Sequence, residues 1–338
     1  MYFNGKYSVS ITNQRTGIIS TIITVVSVTS HNDSAHVGSD CDVVVPLNCL
    51  IQYKTSKDSQ LNQITMDVNQ AFNSGDKIVI TASYEGFPDV NVFTGFIVDF
   101  FMGTPTTIKC SDYIYLLDQS TLDLYYKNVK LKDLLTIVLQ GSGITLNNDI
   151  MDLTLENITF RLMSPAAILE WLKKELGINI SLSNDKLYCN LAANTLANIK
   201  FASDRNVIKC DLQKPYAVFQ TFKVKAWFIR ENGTKDSYEI GSSDGQLREV
   251  FFYKVLPRTE ANYKALAENA LLKFKQSRYA GTIETLLYPA CDLFWKATYT
   301  DVRYPDRNAN YVITGITTTL DENGFHRSIK LAYLSDIQ

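Results

Sequence analysis

Residues 92–101 (VFTGFIVDFF) alternate along an extended chain. Val92, Thr94, Phe96, Val98 and Phe100 fall on one side; Phe93, Gly95, Ile97, Asp99 and Phe101 fall on the other. Period-2 runs rich in Val, Ile, Phe and Thr predict a strand, because successive side chains of an extended backbone point to opposite faces. MGTP (102–105) breaks the run and TTIKCSDY (106–113) starts a second one, so the pair reads as a β-hairpin about a Gly/Pro turn. Large side chains on both faces mean that each face is covered at least in part. KYSVSIT (6–12), IISTIITVVSVTS (18–30), CDVVVPL (41–47) and DKIVITASYEG (76–86) favour extended structure too, linked by polar stretches such as NSGD and EGFPD. This spacing predicts a barrel or sandwich over residues 1–120.

The pattern changes after residue 120. KLKDLLTIVLQGSG (130–143) places Leu131, Leu134, Leu135 and Val138 at helical spacing, with Gly141 as a stop. SPAAILEWLKKELG (164–177) is a clearer helix: Ser164 is suited to the N-cap, Pro165 to the first helical position and Gly177 to a left-handed end. INISLS (178–183) and KLYCNL (186–191) follow as strands separated by Asn184–Asp185, so residues 121–200 read as a small α/β unit. Strands return in TFKVKAWFI, DSYEIG and REVFFYKV. Residues 259–278 then predict the longest helix, with Tyr263, Leu266, Ala270 and Phe274 on one face and charges arranged to suit the helix dipole. DLFWKATYTD, NYVITGITTTL and RSIKLAYL complete the pattern. The expected fold is mainly β with an α+β insertion: a β-barrel-like domain at 1–120, a small α/β domain at 121–200, and a second β-barrel-like domain at 201–338 that carries a strand and helix insertion.

Composition narrows the function. The 46% hydrophobic and 20% charged content of this 338-residue chain is that of an ordered globular protein. A formal net charge of −2 and the lack of any basic run argue against sequence-specific nucleic-acid binding. The most apolar window, GIISTIITVVSV (17–28), is about half a membrane span and rich in β-branched residues, so a strand is expected and membrane insertion is not. No secretory signal is visible at the N-terminus. The six cysteines (41, 49, 110, 189, 210, 291) include no CxxC pair and are expected to be reduced core thiols.

Candidate chemistry is sparse. His31 and His36 stand five apart in the polar stretch SHNDSAHVGSD, which reads as a loop, with Asp33 and Asp40 nearby. A metal site is conceivable there, but no third strong ligand has a standard spacing, and exposed loop histidines are the simpler reading. His326 follows a hairpin turn and reads as a surface residue. Asp99 and Asp112 flank the first hairpin and could form a carboxylate pair, although turn or buried hydrogen-bond roles are the more ordinary use of such residues. GSGIT (141–145) follows a helix and lacks the third glycine of a dinucleotide loop, and Lys54 and Lys57 follow no phosphate-binding glycine loop. No nucleophile elbow adjoins a histidine. The expectation is a protein that is not an enzyme, with no catalytic, cofactor-binding or metal-binding residues and no cofactor.

The order of motifs resembles the phage tail-hub family, which includes baseplate hub proteins, the late-control protein of P2-like phages and the hub half of type VI secretion spike proteins. The resemblance is carried first by residues 92–119: Phe93 and Gly95 on one strand, then Lys109, Cys110 and Asp112, then Leu116 and Leu117. It continues through SPAAILEWLKKELGINISLSNDKLYCNL, NVIKCDLQKPYAVFQTFKVKAW, AGTIETLLYPACDLF and NYVITGITTTLDENGFHRSIKLAYL, in the family's order over nearly the whole chain. One departure is PACDLF (289–294), where many members have Pro and then Gly-Asp. The resemblance implies two tail-hub barrels per chain and a homotrimeric, pseudo-sixfold ring joining a sixfold tail tube to a threefold spike. The implied partners are the chain itself, a tail tube protein and a separate spike protein, with a tape-measure protein as a further candidate. The implied location is the tail tip or baseplate of a virion, assembled in the bacterial cytoplasm. Two other readings of the sequence are a distal-tail or carbohydrate-binding β-rich adaptor and a tail-associated cell-wall hydrolase.

Overall fold

The structure is a computed structural model that describes residues 5–53, 62–147, 150–191, 195–212, 221–229, 232–253, 255–256, 260–278 and 280–336. Lys54 and Lys57 lie outside the described residues. The chain begins with β1 (Gly5–Thr12), β2 (Ile19–Ile22), β3 (Ser27–Asp33), β4 (Ser39–Val45), β5 (Asn48–Tyr53) and β6 (Asn62–Asp67). A one-turn helix α1 (Val68–Ala71), β7 (Lys77–Tyr84), β8 (Val90–Phe101), β9 (Thr106–Ser111) and a short α2 (Ile114–Leu117) follow. The middle comprises β10 (Leu122–Lys130), α3 (Leu131–Val138), β11 (Thr145–Leu146), β12 (Thr154–Met163), α4 (Pro165–Leu176), β13 (Asn179–Ser183) and β14 (Lys186–Asn190). Then come β15 (Asn198–Ala202), β16 (Lys209–Cys210), β17 (Phe222–Ile229), β18 (Lys235–Gly241), β19 (Gln246–Tyr253) and β20 (Val255–Leu256). The last elements are α5 (Glu260–Arg278), β21 (Ala280–Thr285), β22 (Lys296–Thr300), β23 (Ala309–Asp321) and β24 (Gly324–Asp336).

The fold is mainly β, as the alternation predicts. Its dominant feature among the described residues is a 15-stranded sheet built from both ends of the chain. In the first part, the hydrogen-bonded path β4–β9–β8–β7–β1–β2–β5 starts on β4 and ends on β5. These are two halves of one bent segment, 39–53, so the path returns on itself. Val9, Ile11, Val43, Ile78, Ile80, Ile97 and Ile108 fill the space it encloses and are fully buried. The last part repeats the device. The path β15–β22–β23–β24–β21–β16 starts and ends on the segment 198–210, around a core that includes Phe201, Ile283, Tyr299 and Ile313. β23 and β24 are 13 residues each, long enough to serve both parts. The first half of β23 pairs with β22, while its second half pairs with β3, Gly315 opposite Asp33 and Leu320 opposite Val28.

A third core lies in the middle of the chain. Leu131, Leu134 and Leu135 of α3 meet Ile168, Leu169 and Leu172 of α4 and the buried faces of β12–β14. Ser164 caps α4 by accepting from the Ala167 N–H at 3.2 Å, and Gly177 ends it at φ +61°. The sheet β18–β17–β19 and helix α5 join this core through Ala226, Phe228, Phe252, Tyr263, Leu266 and Ala267.

Two local readings of the sequence need correcting, and one strand goes beyond them. Residues 18–30 form two strands rather than one, because the ladder bends at 23–26, where Ile23 N–H and Val26 N–H bond to Leu50 and Val44. Residues 122–130, to which the sequence pattern assigns no element, form β10, held by its pairing with β12. His31 belongs to β3 and not to a loop: it shares the outer face with Thr29 and Asp33, while Val28 and Ser30 face inward.

The six cysteines are thiols and not disulfides, with Cys41 directly opposite Cys110 on β4 and β9. Burial pushes the thiols of Cys41 and Cys110 well up and that of Cys189 up to about 12, so the reactive thiolate is suppressed in the folded chain. Alkylation under denaturing conditions is expected to label all six, and native labelling to be slow at Cys41, Cys49, Cys110 and Cys189. Peptide mass spectrometry reads both; a Cys41–Cys110 disulfide in freshly isolated protein would contradict the expectation.

Candidate functional site

The histidines and carboxylates singled out by the sequence are not brought together into a reacting cluster. His31 is exposed, with Nδ1 3.2 Å from Thr317 Oγ1. His36 is exposed in the β3–β4 turn, where its carbonyl accepts from Lys173 Nζ at 2.6 Å. Asp33 is ion-paired to Lys330 at 2.5 Å. His326 is half-buried on β24, opposite Thr319. Among the described residues, no three His, Cys, Asp or Glu side chains are placed to hold a metal ion. Gly141 and Gly143 take positive φ in the turn after α3, away from any strand-to-helix phosphate loop.

Asp99 and Asp112 part company. Asp99 is exposed on β8 opposite Lys109, and its carboxylate accepts from the next residue's N–H. Asp112, just past β9, is 5% exposed and ties three elements together. Its Oδ2 accepts from Ser39 N–H at 2.7 Å and Ser39 Oγ at 2.8 Å, and its Oδ1 accepts from Ile114 N–H at 2.9 Å. The buried hydrogen-bond role is therefore the one Asp112 fills. Burial pushes its carboxyl up to about 6, against the pull of the bonds from Ile114 and Ser39. A carboxyl raised in the folded state binds a proton more readily there than in the unfolded chain. Its contribution to stability is greatest below about pH 4 and is lost as pH rises through about pH 6. Urea midpoints across that window should show this slope in the wild type and not in Asp112→Asn. A slope of equal size in the variant would assign it to other groups.

Asp112 also borders a polar cavity of about 190 Å³ where all three cores meet. Arg327 of β24 lines it, 3% exposed; its Nη1 donates to the Pro289 carbonyl at 3.3 Å and lies 3.6 Å from Cys291 Sγ. A second, open groove of about 870 Å³ runs between the β13–β14 hairpin and the segment before β22, with Tyr188, Trp295, Asn147 and Asp292 in its walls.

The features that stand out on the surface are apolar. At the tip of the first hairpin, Val98, Phe101 and Met102 are exposed. On the outer face of β19, Leu247, Phe251 and Tyr253 are exposed beside Trp227, whose Nε1 donates to Glu249 at 2.9 Å and whose ring lies under Lys225. At the bend of the first unit, Ile19, Ile23, Val26 and Leu47 are exposed. Sequence reasoning missed these positions individually, since alternation shows that two faces differ but not which apolar face lacks a cover. Several separate apolar patches on one chain suit a protein that meets more than one neighbour.

No protein-family model matches the sequence, and no curated protein matches it. Solved structures do. The 43 kDa tail protein of prophage MuSo2 from Shewanella oneidensis is similar with a TM-score of 0.62 at 14% identity, over 98% of this chain and 99% of that one. The tail protein from Neisseria meningitidis MC58 is similar with a TM-score of 0.64 at 14% identity, over 96% of each chain. The Escherichia coli c3393 protein is a type VI secretion component with structural similarity to T4 bacteriophage tail proteins gp27 and gp5. It aligns with a TM-score of 0.56 at 10% identity, over 97% of this chain and 77% of that one. The chain thus has the fold of phage tail proteins, and the resemblance carried by its motifs extends to its three-dimensional structure.

Proposed function

We propose that the chain is a structural tail hub of a bacteriophage or phage-like injection device, three copies closing a ring between a sixfold tail tube and a separate threefold spike. The observation that carries this reading is the pair of strand paths, each returning on itself around its own core, joined through β23 and β24 and aligned end to end with tail proteins. Two similar units per chain would give a trimer six similar positions, which is what a symmetry adaptor requires. Ring closure then uses unlike surfaces of successive copies. The scarcity of clustered reactive groups fits a geometric role rather than a hydrolytic one. With 33 basic and 35 acidic residues in the chain, packing rather than salt-sensitive attraction would hold the tube, spike and any tape-measure partner. Native mass spectrometry and class averages of the purified chain and of the source particle test the reading. Three copies with pseudo-sixfold symmetry support it; six identical copies, or one per particle, refute it.

The groove with Tyr188, Trp295, Asn147 and Asp292 favours a second reading, a carbohydrate-binding adaptor, since aromatic faces beside amide and carboxylate groups suit sugars. Binding of host-wall glycans that is lost on Trp295→Ala would support that alternative.

A further inference from the structure

Arg327 is a buried cation without an ion-pair partner among the described residues. Its Nη1 has the Pro289 carbonyl and Cys291 Sγ beside it, but Nε is buried with no hydrogen-bond partner. A guanidinium stays protonated in a folded protein, so both the N–H and the charge call for an acceptor that carries negative charge.

The register of the sheet places two more donors in line with it. Arg327 of β24 stands opposite Thr318 of β23, and Thr318 stands opposite Ser30 of β3. The three side chains therefore form one row on the inner face of three adjacent strands. Thr318 is 4% exposed and Ser30 6% exposed, and all three residues line the polar cavity of about 190 Å³ that Asp112 borders. Among the described residues, neither the Thr318 nor the Ser30 hydroxyl has a hydrogen-bond partner.

The other titratable groups that line the cavity are Asp112, Asp292 and Cys291. Both carboxylates are engaged elsewhere. Asp112 accepts the three bonds from Ser39 and Ile114, and Asp292 accepts from Leu293 N–H at 2.8 Å, Ser183 Oγ at 2.6 Å and Asn32 Nδ2 at 3.4 Å. Burial holds the Cys291 thiol in its neutral form. The unmet groups are thus donors: Arg327 Nε–H and the hydroxyls of Thr318 and Ser30. Water, itself a donor, leaves the guanidinium charge unanswered, whereas a small anion answers both charge and donors. Asp112 and Asp292 set its charge, because their negative potential opposes a second one and so favours chloride over sulfate or phosphate. The volume has room for one such ion and a few waters at roughly 30 Å³ each. We propose that Arg327, Thr318 and Ser30 bind a single monovalent anion, chloride, which fastens β3 of the first unit to β23 and β24. The proposal stands independently of the ring reading.

The test is urea unfolding of the full chain with chloride replacing gluconate at fixed ionic strength. It is run at pH 5, where Asp112, its carboxyl pushed up to about 6, is mostly neutral. The wild-type midpoint should rise with chloride, because a ligand held by the folded state alone stabilises that state. Arg327→Gln should lose the rise. Thr318→Val should need at least about tenfold more chloride for the same rise, and it takes the place of Arg327→Gln if that variant does not fold. Crystals grown in bromide should show an anomalous peak beside Arg327 Nε. A wild-type midpoint indifferent to chloride, or a rise of equal size in wild type and variant, overturns the inference. So does a cavity that holds water and no anomalous scatterer. A bromide peak without the solution effect means binding at crystal concentration only, and overturns it as well.

Discussion

Replacing Gly95 by alanine is expected to cost about 3 kcal/mol of stability or more, an overpacking penalty at the upper end of the usual range. Gly95 lies on β8, where a Cβ would sit 2.2 Å from the Ser111 carbonyl oxygen and 2.8 Å from the Phe93 ring. The oxygen belongs to the backbone of the neighbouring strand, so it cannot rotate away; β8 and β9 would have to separate. That separation would also disturb Asp112, the next residue after Ser111. Gly86→Ala is the control. Gly86 has φ +84° with nothing within 4 Å of a new Cβ, so only backbone strain of about 1 kcal/mol is expected there. Urea denaturation of both variants measures the difference. Equal losses in the two would mean that the sheet gives way easily at Gly95.

Phe228→Ala is expected to cost about 3–5 kcal/mol, the usual range for emptying a buried aromatic site. The Phe228 ring is stacked 3.9 Å from Tyr263 of α5 and 5.2 Å from Phe252, its partner on β19. It is the point at which sheet β18–β17–β19 meets the long helix. Exchange protection should fall across 222–253 and 260–278 more than across β7–β9, because those strands enclose a different core. A uniform fall over the whole chain would show that the cores melt as one.

Much of this architecture can be read from residues alone. The first hairpin follows from the alternation and the MGTP break, although a bulge between Ile97 and Asp99 turns Phe100 toward the core and Phe101 outward, the reverse of the faces the alternation predicts; helix α4 follows from Ser164, Pro165 and Gly177, whose local chemistry needs no tertiary context. β10 escapes because its pattern is mostly half-buried and exposed, so it is held by pairing rather than by an apolar face. On α5 the expected apolar face omits Asn269, which is buried and donates to the Gly177 carbonyl at the end of α4. Polar residues buried to satisfy another element's carbonyl follow no period. Arg327 is hidden for the same reason: it alternates correctly with inward-facing Phe325 and Ile329, but charge makes an outward position the natural guess. The Phe93–Gly95 and Asp112 steps of the resemblance have physical grounds in the close approach at Gly95 and the three hydrogen bonds at Asp112. The surface patches depend on what lies over each strand, which only the assembled sheet reveals.

The pairing of β23 with β3 has a consequence for how the chain is made. His31 and Thr317 stand opposite one another although 286 residues separate them. At a translation rate of ~5–20 residues per second, β3 leaves the ribosome about 15–60 s before its partner strand exists. During that interval the first unit holds a temporary open edge along Val28–Asp33, beside the uncharged run that ends at Ser30. Nascent chains on one polysome would meet at that edge, and crowded synthesis would favour their association over folding. Soluble yield should therefore respond more to the pace of translation and to holding chaperones than to the stability of the finished molecule.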